Sequence, residues 1–157
     1  MPEHSASHAS FTIERLYDAA PARVFRAWSD LAAKSQWMAC HPEWKTVEQS
    51  LDFRVGGREV NRVGPAGGPL HGFEARYFDI VPDRRIVYAY DMHLDARRIS
   101  VSLVTIELAP VGNKTRLTFT EQGVFLDGYD GAAEREEGTR IGLDRLVPLL
   151  RSMAGAA

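Results

Sequence analysis

Cysteine is almost missing from this chain. Cys40 is the only one in 157 residues, so no intramolecular disulfide can form, and a reducing, cytoplasmic setting is the natural expectation. An excess of one charge is missing too. With 19 basic residues against 21 acidic ones the formal charge is -2, too weak a field to gather phosphate backbones or anionic lipid heads. Nucleic acid is therefore not an expected partner. No apolar run reaches the roughly 18 to 20 residues that cross a bilayer. The opening stretch from Met1 to His8 also carries neither the basic nor the apolar region of an export signal. No membrane association is expected. Internal repeats and low-complexity tracts are lacking as well, which leaves no reason to divide the chain.

What remains is ordinary globular material. Hydrophobic residues make up 45% and charged residues 25%, and a chain of this length buries roughly two thirds of its unfolded surface as one domain. Residues 1–9 are small and polar and read as a flexible arm. The domain is expected over 10–153, with a flexible tail at 154–157.

Period-2 alternation of Phe11 and Ile13 with Thr12 and Glu14 predicts a half-buried strand over Ser10 to Tyr17. Pro21 suits the first position of a helix, and Val24, Phe25 and Trp28 share one of its faces. Asp30 caps a second short helix ending near Trp37, with Leu31, Trp37 and the stem of Lys34 on its face. Five strands follow: Lys45 to Ser50, Asp52 to Val63, Leu70 to Val81, Arg84 to Met92 and Ile99 to Leu108. Another, Thr115 to Glu121, completes the set. Their joints hold turn residues, including Gly56-Gly57, Pro82-Asp83-Arg84 and Gly112-Asn113, and they are too short for parallel crossovers, so an antiparallel meander is expected. After a linker at Gly123 to Gly131, a helix is predicted from Ala132 to Met153. Leu143, Leu146, Val147, Leu150 and Met153 form its apolar face, and Pro148 is expected to kink it near Asp144.

Four strings carry a resemblance. Ala20-Pro21-Ala22-Arg23-Val24-Phe25-Arg26-Ala27-Trp28-Ser29-Asp30 resembles the opening "AP..VFxAWTD" signature of a branch of the START-like (SRPBCC, helix-grip) superfamily. Asp52-Phe53-Arg54-Val55-Gly56-Gly57 is similar to its "D.RxGG", and Ile80 to Tyr88 to its "xxxPPxRLVY". Lys114-Thr115-Arg116-Leu117-Thr118-Phe119-Thr120-Glu121-Gln122-Gly123 resembles its "GTRLTxTEQG". The branch is the family like the activator of the ninety-kilodalton heat-shock chaperone's ATPase, and the likeness covers about residues 10–152. Where that family's last helix often begins Gly-Trp, this chain has Gly138-Thr139.

The resemblance implies an α+β helix-grip fold, an antiparallel sheet wrapped around the long C-terminal helix, with a ligand cavity between them. Strand alternation then selects the lining. Phe53 and Val55 share one face, Phe73 and Tyr77 are the bulkiest pair on theirs, and Tyr88, Tyr90 and Met92 align on the next. Ser102 with Val104, and Phe119 with Glu121, complete the sheet wall, while Trp37, Thr139 and Leu143 face it from the helices. Tyrosines, serines and one glutamate among aliphatics suit a pocket for a small apolar or aromatic molecule, oriented by a few hydrogen bonds. The bland alternative is plain core packing.

Glu121 is the one carboxylate assigned inward, where it would bind or move a proton, or else pair with Arg116, Arg140 or solvent at the strand end. The five histidines, His4, His8, His41, His71 and His93, match no metal-ligand spacing, and Cys40-His41 lacks a third orienting group. No metal, cofactor or catalytic residue is expected. The run Glu134-Arg135-Glu136-Glu137 reads as a solvated first turn. Noncatalytic binding of a small molecule is the leading expectation. A module for a chaperone or other protein partner is the second, and a cyclase- or hydrolase-like enzyme using Glu121 and Tyr90 the third; a second copy of the chain is left open as a partner.

Overall fold

The computed structural model describes residues 4–38 and 43–155. Seven strands and three helices follow in the order β1 (Ala6–Tyr17), α1 (Pro21–Ser29), α2 (Leu31–Met38), β2 (Lys45–Leu51), β3 (Arg58–Gly64), β4 (His71–Val81), β5 (Arg85–Leu94), β6 (Arg97–Val111), β7 (Lys114–Leu126) and α3 (Ala132–Gly155). All strands form one antiparallel sheet in the order β1-β7-β6-β5-β4-β3-β2. The α+β helix-grip arrangement expected from the sequence is the one observed, with the helices on the concave face.

Each element forms for a local reason. Ala20 is extended and Pro21 opens α1, where its missing N–H costs nothing. The Asp30 carboxylate accepts the Ala32 amide at 3.3 Å and starts α2. Asp83 and Gly112 sit at positive φ, 63° and 61°, in the two tight hairpins the sequence marked. Gly57 lies so close to the Asp52 carbonyl that a side chain there would collide with it.

The strands β5 to β7 run a few residues beyond their expected ends, β7 into the expected linker as far as Leu126, and four further differences bear on the site. First, β1 begins at Ala6, inside the expected arm. Ala6 to Ala9 pair with Leu126 to Gly123, because β7 itself runs on to Leu126 and offers a backbone ladder that polar side chains do not weaken. Second, residues 52–57 form a bend and not the start of β3, which leaves Val55 59% exposed and off the concave face. Third, α3 remains helical through Pro148, with Leu149 buried and Val147 exposed. Fourth, that helix reaches Gly155, into the expected tail.

The core joins the concave sheet face to the helices. Trp28 and Val24 are fully buried, Trp37 packs against Trp28 with ring centroids 4.7 Å apart, and Leu143, Leu146 and Leu150 of α3 belong to the same buried cluster as Ile13, Ile106 and Leu117. At roughly 1.5 to 3 kcal/mol for each fully buried large apolar side chain, this cluster is what holds α3 in the grip of the sheet. The Cys40-His41 pair lies outside the described residues.

Candidate functional site

Register sets the concave wall in rows. Ser100 pairs with Met92 and Phe125, and Ser102 with Tyr90 and Gly123, which in turn faces Ala9 of β1. Val104, Tyr88 and Glu121 make the next row, and Ile106, Ile86 and Phe119 the one below. Near the start of α3 the wall is therefore built partly of small residues: Ala9, Gly123, Ser102 and Ser100. A Cβ at Gly123 would approach Ser102 Oγ to 2.8 Å, so a side chain there would crowd that hydroxyl.

Arg135 enters this end of the wall from the first turn of α3. Its Nη2 donates to Ser100 Oγ at 2.8 Å, and its Nη1 to Tyr90 Oη at 3.0 Å and, at a long 3.5 Å, to Glu121 Oε2. The Tyr90 hydroxyl donates to the same Glu121 oxygen at 2.7 Å. The guanidinium also lies over the rings of Phe125 and Tyr90, 5.1 and 5.6 Å from their centroids. Burial, then the Glu121 charge, holds the Tyr90 phenol well above its ordinary range, so it stays a proton donor at neutral pH. The Ser102 hydroxyl sits close enough to the Tyr90 oxygen to temper that rise. Even so, Ser102 Oγ is buried without a partner in hydrogen-bonding geometry, and so is Asn61 Oδ1 farther along the sheet.

A second polar cluster lies deeper, beneath α2. Lys34 Nζ donates to Glu59 Oε1 at 2.5 Å and to Tyr77 Oη at 3.0 Å, and Tyr77 Oη donates to Glu59 Oε1 at 2.7 Å. The ammonium also lies 5.8 and 5.6 Å from the ring centroids of Tyr77 and Tyr88. Burial lowers the Lys34 pKa and the charge of Glu59 opposes that shift, while burial raises both phenols. The two clusters are bridged by aromatic contacts, Tyr77 to Tyr88 at 5.4 Å and Tyr88 to Tyr90 at 6.1 Å.

Most of the expected lining does lie inside. Tyr77, Tyr88, Tyr90, Ser102, Val104, Phe119, Glu121, Trp37 and Leu143 are buried, and Phe53, Phe73 and Met92 are partly buried against the core. Trp37 donates Nε1 to the Ala27 carbonyl and its ring meets Gly142, which is core packing. Thr139 turns its hydroxyl back to the Arg135 carbonyl. Glu121 pairs with Arg135 and not with Arg116 or Arg140.

Three participants escaped the sequence reading. Arg135 was hidden in a charged run, Lys34 was credited only with its stem, and Glu59 is a second inward carboxylate. Alternation in β3 was the available signal for Glu59, since it shares a face with Asn61 and Val63.

A family model described as Activator of Hsp90 ATPase homolog 1-like protein matches residues 18–154. An uncharacterized protein from Rhizobium leguminosarum is 50% identical with a TM-score of 0.90, covering 96% of this chain and 99% of that one. A protein from Rhizobium loti is 49% identical with a TM-score of 0.87, over 93% and 99% of the two chains. An AHSA1-like protein from Aeromonas hydrophila, 19% identical with a TM-score of 0.68 over 94% of each chain, shares the fold. No curated protein matches the chain. Among the described residues no helix is long and apolar enough to cross a membrane.

Proposed function

Because the chain belongs to the family of Activator of Hsp90 ATPase homolog 1-like proteins, we propose that it binds a small, neutral, mostly apolar or aromatic molecule between the sheet and the start of α3, without transforming it. One observation carries this reading. Ser102 Oγ is buried without a partner in hydrogen-bonding geometry and stands in one row with the small residues Gly123 and Ala9, where a niche for a ligand would lie. An orphaned hydroxyl costs roughly 1 to 3 kcal/mol, a penalty that a ligand oxygen accepting its proton would remove. Around it stand Phe125, Tyr90 and the stem of Arg135, which supply the apolar contact area. The Arg135 charge is answered by Glu121, so the niche favours no ion. A cytoplasmic setting accords with the single cysteine.

Native mass spectrometry of gently purified protein, followed by a thermal-shift screen of aromatic and acyl compounds, tests the proposal. A compound at about 100 times its dissociation constant should add about 2.7 kcal/mol of stability. It should be recovered unchanged, and Glu121→Gln should alter its affinity by less than about tenfold, or 1.4 kcal/mol. The enzyme reading rests on the Tyr90–Glu121 hydrogen bond of 2.7 Å. It requires a converted product and a turnover that falls about 10² to 10⁴-fold in Glu121→Gln. Recovery of such a product would replace the binding reading, and an absence of any stabilising compound would remove both.

A further inference from the structure

On the opposite, convex face of the sheet, side chains from two strands converge. Glu74 of β4 stands directly across from Asp91 of β5, and His93, two residues on and so on the same face, stands across from Gly72. One ligand-capable atom from each of Glu74, Asp91 and His93 lies within 4.8 Å of the other two, and His93 Nε2 is 3.8 Å from Asp91 Oδ2. The group is sheltered, with the side chains of Asp91 and His93 each 20% exposed and that of Glu74 28%. Glu74, His93 and Gly72 line a recess of about 190 Å³ that also takes in Arg62 and Asp95.

We infer that Glu74, Asp91 and His93 form a binding site for a divalent transition-metal cation of the zinc type. Like charges placed directly opposite across two strands are unfavourable, and a cation between them reverses the sign of that interaction. Zinc bonds of about 2.0 to 2.2 Å at the tetrahedral angle put neighbouring donors about 3.3 to 3.5 Å apart. The donor atoms, now within 4.8 Å of one another, would have to draw in to that spacing by rotation of the three side chains. An imidazole with two carboxylates suits zinc, whereas calcium needs six to eight oxygens and magnesium a rigid octahedron of oxygens.

The arginines nearby are compatible with this geometry. Arg98 Nε meets Asp91 through Oδ2 at 2.9 Å, and Arg62 and Arg58 meet Glu74 through Oε1 at 3.4 and 3.5 Å. Asp91 Oδ2 thus stands between Arg98 and His93, so a cation would share that oxygen with the guanidinium or take the carboxylate's other oxygen after a rotation, with the arginines acting as outer partners of the carboxylates. Gly72, opposite His93, brings no side chain over that flank, so a water can complete the coordination. The site is independent of the concave-face niche, because the two lie on opposite sides of the sheet.

Titration of the metal-free full chain with zinc chloride, followed by calorimetry, tests the assignment. One saturable site per chain in the micromolar range is expected, with calcium chloride giving no comparable signal. His93→Ala and Glu74→Gln should each weaken zinc binding tenfold or more, while leaving the metal-free melting temperature nearly unchanged. Should His93→Ala fail to fold, the shape-preserving Glu74→Gln carries the same reading. Absence of saturable zinc binding, equal binding of calcium, or full retention in a folded variant would overturn the proposal and leave these residues as an ion-pair network only.

Discussion

The two buried polar clusters on the concave face use nearly the same parts and differ in how well the parts are closed. Beneath α2, Lys34, Glu59 and Tyr77 satisfy one another at 2.5 to 3.0 Å, with the ionic side chains 1% and 5% exposed. Beneath the first turn of α3, Arg135 is 13% exposed, reaches Glu121 only at 3.5 Å and leaves Ser102 unpartnered. A cation, a glutamate and a tyrosine thus make a sealed clamp in one place and a loosely closed boundary in the other. Burial decides which. Helix α2 covers its cluster fully, whereas Gly123, Ala9 and the serines thin the wall opposite α3.

The largest expected effect breaks the sealed cluster. Lys34→Met leaves Glu59 charged in the core without its partner, which should cost about 3 to 5 kcal/mol. Adding Glu59→Leu removes the stranded charge and should recover most of that loss. In the looser cluster Arg135→Met should cost less, about 1 to 3 kcal/mol, because Arg135 reaches Glu121 only at 3.5 Å and the Tyr90 hydroxyl keeps its hydrogen bond to that carboxylate. Urea denaturation of the variants checks the ranking. An equal loss in the two single variants would erase the distinction between clamp and boundary.

A smaller effect is graded by pH and separates the cation from the phenols. Folding raises the Tyr77, Tyr88 and Tyr90 phenols above their ordinary 10.0. Above about pH 10 the unfolded chain therefore gives up protons that the folded chain keeps, and stability falls with rising pH. Each retained proton contributes a slope of about 1.4 kcal/mol per pH unit. Lys34 has the opposite sign. Its folded pKa lies below the ordinary 10.5, so between those two values the unfolded chain holds the extra proton and stability rises with pH. Denaturant melts should show the rise in stability below about pH 10.5 vanish in Lys34→Met, while the fall above about pH 10 remains. An unchanged slope would mean that Lys34 keeps its ordinary pKa in the fold.

The fold was legible in the sequence because it rests on long periodic segments and turn residues. Alternation through Tyr88 and Tyr90 placed both rings inward, and Pro21 and Asp30 marked helix starts. The site was only half legible. A charged residue on a helix reads as solvated unless its tertiary partner is known, so Arg135 and Lys34 were missed. Val55 was assigned inward because its string looks like a strand, and only the backbone shows the bend at 52–57 that turns it out. His93, Asp91 and Glu74 were invisible together, since the pairing of β4 with β5 supplies the proximity that spacing along the chain does not.

The smallest expected effect sharpens the comparison within a single strand. Ser100 and Ser102 are both buried on the concave face of β6, two residues apart, and a sequence argument treats them alike. Their hydroxyls are not alike: Ser100 Oγ accepts a charged N–H from Arg135 at 2.8 Å, and Ser102 Oγ has no such partner. Ser100→Ala should therefore cost about 1 to 3 kcal/mol, because the guanidinium loses an acceptor in a place where little water can replace it. Ser102→Ala removes a hydroxyl already paying its desolvation cost, so stability should stay within about 0.5 kcal/mol or rise slightly. Its effect should appear elsewhere. For any compound that binds the niche through an oxygen atom, Ser102→Ala should weaken binding by about tenfold, while an oxygen-free compound of the same shape keeps its affinity. Parallel thermal melts and binding titrations on the two variants decide the matter. A costly Ser102→Ala with no selective loss of oxygen-bearing compounds would show that the hydroxyl serves the fold and not a ligand.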